Sequence, residues 1–250
     1  MTAPCSSMRR GERAEPDGAP GGLLLVDKPA GMTSHDVVQA VRRKLGVRRI
    51  GHSGTLDPMA TGLLILLVGP ATKQQQAFQG HEKTYEATVR FGTRTDTGDL
   101  TGRVVETAPV TPLSAERAAG VLASLEGSMS QTPPAYSAVK VRGRPSYWWT
   151  RRHQPVTLAA RTVHLMELSL VNCGEQSLTF RVRCSAGTYV RSLAEVIAER
   201  LGTVGHLAGL VRLSIGRWHL EDAKPFDWVT SSPPGAVAAA LQPVPSAPAS

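Results

Sequence analysis

Asp57 lies in RIGHSGTLDPMATG, residues 49–62, a polar, glycine-punctuated stretch between apolar elements. An acidic residue held in a loop beside a histidine, His52, and several hydroxyls is suited to act as a nucleophile, a general base or a metal ligand. Pro58 biases Asp57 toward an extended backbone. Gly51, Gly54 and Gly62 permit close backbone approach or positive φ. An isolated Asp-Pro pair is more often an Asx turn, with the carboxylate bonding its own backbone. The basic context of this segment, rather than the dipeptide, is what favours chemistry.

Two further clusters could join it. Lys83-Thr84-Tyr85 opens an alternating stretch and places a phenol at the end of a strand. GTYVR, residues 187–191, reads as a strand-to-helix turn with Tyr189 and Arg191 in the first helical turn. A cation and a helix N-terminus there would attract a carboxylate or a phosphate. Taken singly, each tyrosine reads as a core or rim aromatic, and Arg191 as a surface cation. Residues 140–153, KVRGRPSYWWTRRH, carry five cations and three aromatics. Cations bind phosphates and aromatics stack on unpaired bases. An ordinary amphipathic helix or hairpin anchored by Trp148 or Trp149 fits that segment equally well.

Other chemistries find no support. The seven histidines are scattered without HxxxH or HExxH spacing, so no metal is expected. GxGxxG and Walker A sequences are absent, so no nucleotide cofactor is expected, and there is no GxSxG elbow. Cys5, Cys173 and Cys184 form no CxxC, which argues against a disulfide framework or a zinc site.

The elements that must position these residues belong to a chain of 250 residues, 41% hydrophobic and 19% charged. That length suits one or two domains with a real core. No apolar run approaches the roughly 18 residues of a membrane span; the longest, 63–68, has the length of a core strand. The net charge of +8 and a pI near 9.9 favour a polyanionic partner, most often nucleic acid.

Residues 1–21 read as a disordered N-terminal tail without a secretory signal. The chain from about Ser231 is rich in Pro, Ala and Ser and also reads as mostly disordered. Folded structure is expected over 22–229. Residues 23–26 form a short strand, and Ser34 caps a helix with Val37, Val38, Val41 and Leu45 on one face. Tyr85, Ala87, Val89 and Phe91 alternate with polar residues, which predicts a half-buried strand. Ser114 caps a second helix bearing Ala118, Val121, Leu122 and Leu125. Leu178, Phe180, Val182 and Cys184 alternate again, ahead of a helix bearing Val190, Leu193, Ala194, Ile197 and Leu201. Strands and helices interleave irregularly, so an α+β fold on a largely antiparallel sheet is expected.

Several long motifs stand in one order: LLLVDKPAGMTSHDVV from Leu23, IGHSGTLDPMATGLL from Ile50 and KTYEATVRFGTRTDTGDLTG from Lys83. QTPPAYSAVKVRG from Gln131 and CSAGTYVRSLAE from Cys184 follow. Over roughly 22–220 the sequence resembles the TruB-type bacterial tRNA pseudouridine synthases. The resemblance implies the pseudouridine synthase fold, a mixed, mainly antiparallel sheet with flanking helices and a central cleft. It implies isomerisation of uridine to pseudouridine in tRNA, usually uridine 55 of the T loop, with no cofactor and no metal. By motif position, Asp57 is the nucleophilic carboxylate. Tyr85 packs on the target base and is a candidate to assist removal of the carbon 5 proton. Arg191 pairs with Asp57. His52 fills space in the T loop as the target flips, and Tyr189 and Leu210 line the substrate pocket. The partner is the T arm of tRNA, with no membrane and no required protein partner, and a cytoplasmic monomer is expected.

The sequence departs from the family pattern in places. Leu210-Val-Arg-Leu213 stands where the family commonly reads LRRT or LRRL. Trp148-Trp-Thr-Arg151 stands where Ala-Arg often follows GRPSY, and Val196 where an Asp is usual. The stretch after Gly216 is too short for a complete PUA domain. The expected grip on tRNA is therefore through the catalytic domain and an insertion at about 131–155. Two rival readings follow from the residues. One is a tRNA-refolding chaperone whose main role does not need catalysis. The other is an aspartyl glycosidase, which would need a second carboxylate. Asp96 and Asp99 are the candidates, and both read as turn or loop-anchoring residues.

Overall fold

A computed structural model describes residues 20–137, 139–152, 154 and 156–245. In chain order its strands begin with β1 (Gly22–Lys28), β2 (Ile50–His52), β3 (Thr61–Val68) and β4 (Lys83–Phe91). The middle of the chain adds β5 (Thr93–Thr95), β6 (Val104–Thr107), β7 (Gly127–Gln131), β8 (Lys140–Val141) and β9 (Arg144–Pro145). The last five are β10 (Arg161–Cys173), β11 (Ser177–Cys184), β12 (Gly205–Ile215), β13 (Trp218–His219) and β14 (Lys224–Pro225). The α-helices are α1 (Ser34–Leu45), α2 (Gln75–Gly80), α3 (Ala115–Ser124) and α4 (Ser146–Thr150), then α5 (Val190–Arg200), α6 (Phe226–Ser231) and α7 (Pro234–Ala239).

One ten-stranded sheet runs β14-β1-β3-β12-β4-β11-β10-β7, with β2 on β3 and β13 on β12. The β1/β14 and β3/β12 pairs are parallel and the others antiparallel. The mixed, mainly antiparallel α+β architecture is therefore present.

β3 explains the continuous apolar run, because it is covered on both faces. Leu64, Leu66 and Val68 pack with Val37, Val38 and Val41 of α1. Leu63, Ile65 and Leu67 pack with Leu23, Leu25, Phe78 and Ile215. β4 is buried at Tyr85, Ala87, Val89 and Phe91, in the predicted phase. These join the predicted apolar face of α5 in a third cluster.

Two expectations are corrected. The N-cap of α1 is Thr33, not Ser34. The Thr33 side chain accepts from Asp36 N, and the Asp36 carboxylate accepts from Thr33 N at 2.9 Å, a reciprocal capping box. Ser34 opens the helix and turns inward. The Pro/Ala-rich segment from Ser231 is not mostly disordered: Pro233 and Pro234 start α7, whose Val237 is buried with Val229 against α1. Gln242 then exchanges backbone hydrogen bonds with Leu23 at 2.8 and 2.9 Å. Pro before and at the first helical position is compatible with a helix start, and one buried valine is enough to seat so short an element. The tail expected at 1–21 lies mostly outside the described residues, as do 246–250.

Candidate active site

The Asp57 loop is fastened from three sides. Ser34 of α1 accepts from Leu56 N at 2.9 Å and donates to Leu56 O at 3.3 Å. Gly31 N donates to Pro58 O at 2.8 Å. The Lys28 ammonium reaches Pro29 O at 2.8 Å, Met32 O at 2.7 Å and Pro58 O at 3.4 Å. Burial, with Arg212 nearby, lowers that ammonium to about 8. The next turn depends on Gly62 at φ +100, where a Cβ would stand 2.5 Å from Arg212 O. Only glycine lets β3 and β12 approach this closely.

Arg191 enters from α5 and is 4% exposed, so it is not the surface cation that the residue alone suggested. Its Nε donates to Asp57 Oδ2 at 2.8 Å and its Nη2 to Asp57 Oδ1 at 3.2 Å. The remaining reach is spent on backbone: Nη1 donates to Thr97 O and Nη2 to Tyr136 O, both at 2.8 Å. The Asp57 side chain stays 29% exposed. The carboxylate is thus aimed from behind and open in front.

Asp99 also approaches Arg191, at 3.9 Å. Its Oδ1 accepts from Thr97 Oγ1, Thr101 N and Thr101 Oγ1. Asp96 accepts from Arg103 N at 2.9 Å. Both anchor their loop, as expected.

His52 ends β2, and its Nδ1 accepts from Gly54 N at 3.2 Å. The proton of the neutral ring therefore sits on Nε2. Burial and the Arg212 charge push its pKa down, so the imidazole is neutral at pH 7. Tyr85 is buried, which raises its phenol pKa, while the nearby Arg212 charge opposes that. Leu210 on β12 lies across from Ala87 and shares a core cluster with Tyr85, Leu56 and Val190. Tyr189 stands at the N-cap of α5, just outside the predicted first turn, and has no side-chain cap. Its ring meets Arg161 rather than Asp57.

The matched family is described as "TruB family pseudouridylate synthase (N terminal domain)", and it matches residues 42–190. The tRNA pseudouridine synthase B of Mycobacterium sp. (strain KMS) is 44% identical over 86% of this chain and 74% of its own length. This chain belongs to the TruB family. The Opitutus terrae tRNA pseudouridine synthase B is 44% identical over 85% of this chain and 88% of its own. A solved Cbf5-Nop10-Gar1 complex contains a chain with TM-score 0.68 and 26% identity, covering 94% of this chain and 67% of that one.

In this TruB-family chain the residue most clearly missed by sequence reasoning is Arg212. It is 1% exposed and sits at the centre of the sheet. Its Nε donates to Leu63 O at 2.7 Å and its Nη2 to Gly54 O at 3.2 Å. These contacts tie the loop at Gly54 to β3 and β12. No carboxylate among the described residues pairs with it. The available signal was phase over two positions: Leu210 and Arg212 are buried across from Ala87 and Tyr85, and the register shifts before Ser214. Lys83, likewise buried, is lowered to about 8 by burial and by Arg212.

The basic aromatic segment of this family member is a small hairpin, β8–β9, followed by α4. Trp149 Nε1 donates to Val141 O at 3.0 Å, which anchors the hairpin. Trp148 packs edge-on against Trp149, and the Arg144 and Arg152 guanidiniums lie over its ring at 5.5 and 4.0 Å. The anchored-hairpin reading holds, with Trp149 as the anchor, and Arg144, Arg151 and Arg152 are exposed around it. His153 lies outside the described residues. Among the described residues no three His, Cys, Asp or Glu side chains gather as metal ligands, and no helix is long and apolar enough to cross a membrane.

Proposed function

We propose that this chain isomerises uridine to pseudouridine in tRNA, at uridine 55 of the T loop. The observation that carries the reading is the two-point grip of Arg191 on Asp57, with one side of the carboxylate left open. The curated relatives are named tRNA pseudouridine synthase B, which supports the same reading.

The target base must leave its stack before any group can reach its sugar. Flipping costs a few kcal/mol. The Tyr85 ring offsets part of this by stacking on the extruded base, and His52, neutral and partly buried, occupies the space the base leaves. Leu210 and Tyr189 complete the pocket wall. Asp57 acts as the nucleophilic carboxylate. The bond from C1′ to N1 breaks, the base turns, and C1′ bonds to C5. The C5 proton leaves and N1 takes one up, so the reaction is an isomerisation with no external reactant. Residues 22–229 form the catalytic domain, extended through Gln242, and the insertion at 131–155 grips the RNA through Arg144, Arg151 and Arg152.

An unmodified tRNA transcript incubated with the protein, then probed by carbodiimide adducts and primer extension, tests the reading. One adduct stop at uridine 55 is expected. Tight tRNA binding with no stop would replace the reading with the chaperone, and release of free uracil would replace it with a glycosidase.

A further inference from the structure

Arg161 opens β10, in register with Gln131 on β7. Gln131 is buried and clamps the Tyr189 backbone. Its Nε2 donates to Tyr189 O at 2.9 Å, and Tyr189 N donates to its Oε1 at 2.7 Å. The Arg161 guanidinium lies over the Tyr189 ring, 4.8 Å from its centroid. Gly187, at φ +85, leaves room for it: a Cβ there would stand 3.4 Å from Arg161 Nη1.

This cation is placed but unanswered. Its Nε is shut off from solvent and has no acceptor among the described residues. Among the described residues no carboxylate pairs with it. Its terminal nitrogens are not sealed in the same way. Stacking on an aromatic ring holds a guanidinium by one face and leaves its charge and its donor edge available. A planar donor edge matches the oxygens of a phosphate. The location adds the rest. Tyr189 is two residues from Arg191, which holds Asp57, so Arg161 packs on the segment that leads into the Asp57 site.

We propose that Arg161 binds a backbone phosphate of the RNA next to the flipped uridine. The inference rests on the proposed function, and it names the contact that anchors the substrate strand beside the pocket.

The test uses T-arm hairpins in which each phosphate flanking the target is replaced singly by a neutral methylphosphonate. Binding and turnover are measured for wild type, Arg161→Gln and Arg161→Lys. For wild type, one linkage should weaken binding about tenfold when neutralised. Arg161→Gln should weaken binding of the unmodified hairpin by a similar factor, lose nothing further at that linkage, and reduce the salt slope of log K by about 1. Arg161→Lys, keeping charge but losing the fork, should fall between. Equal methylphosphonate penalties in wild type and Arg161→Gln would overturn the proposal. So would a fall in kcat with KM and salt slope unmoved, since that marks a brace for Tyr189. If Arg161→Gln does not fold, wild type and Arg161→Lys decide, by whether their penalties at that linkage differ. Wild type that binds the hairpins but makes no pseudouridine would sink the proposed function while the binding comparison still reads the phosphate contact.

Discussion

Arg191 grips Asp57 with two nitrogens, Nε on Oδ2 at 2.8 Å and Nη2 on Oδ1 at 3.2 Å. A single-point cation would leave the carboxylate free to rotate; a fork fixes its plane. The same guanidinium holds Thr97 O and Tyr136 O. One side chain therefore sets the Asp57 carboxylate and holds the loops of Thr97 and Tyr136.

Arg191→Lys should keep a positive charge and lose that geometry. Misplacing a reacting group by about 1 Å can cost on the order of a hundredfold in rate. The expected result is a fall in kcat of about a hundredfold with tRNA affinity within a few fold of wild type. Single-turnover kinetics and filter binding separate the two. A kcat near wild type would show that charge alone suffices.

His52 makes stability depend on pH. Its pKa in the folded chain lies below the ordinary 6.5, because of burial and then Arg212. Between those two values the unfolded chain binds more protons, so stability falls as pH drops through this window. Above 6.5 the contribution is whole. His52→Asn should remove its share and leave that of His81, whose pKa is lowered by burial and Lys83. Urea unfolding from pH 7.5 down to about 5 should show a shallower acid loss for the variant. Equal slopes would contradict the assignment.

Arg212→Lys tests the hub behind the pocket. A lysine lacks the fork that reaches Leu63 O and Gly54 O together. Leaving buried carbonyls unpaired costs about 1–3 kcal/mol each, so a loss of about 3 kcal/mol in urea unfolding is expected. If Arg212 acts on turnover through Tyr85, combining it with Tyr85→Phe should cost less than the product of the single effects. Fully multiplicative losses would mean that the two act separately.

The legible parts of the fold were those with one clean period. Residues 83–91 alternate because β4 buries one face, and the α5 apolar positions repeat because the helix seats on the sheet. Asp57, His52 and Arg191 stood out by motif, and the structure joins Asp57 to Arg191 directly. Burial of Arg191 was not legible, since its partners lie 134 and 94 residues away at Asp57 and Thr97. Arg212 was hidden for the same reason: its acceptors are carbonyls, which leave no mark in sequence. The cap of α1 moved by one residue because Thr33 and Ser34 are chemically alike, and only the reach to Asp36 chooses between them. The helix at 234–239 was missed because composition does not report that Val237 finds a groove beside α1.

The most direct test of Asp57 as nucleophile is release of tritium from carbon 5 of uridine in an unmodified tRNA transcript. Wild type and Asp57→Asn are compared at equal tRNA occupancy. The account predicts one tritium released per tRNA, from the T loop, by wild type and none by the variant, with binding retained. Equal release by both would contradict it and move the chemistry to another residue.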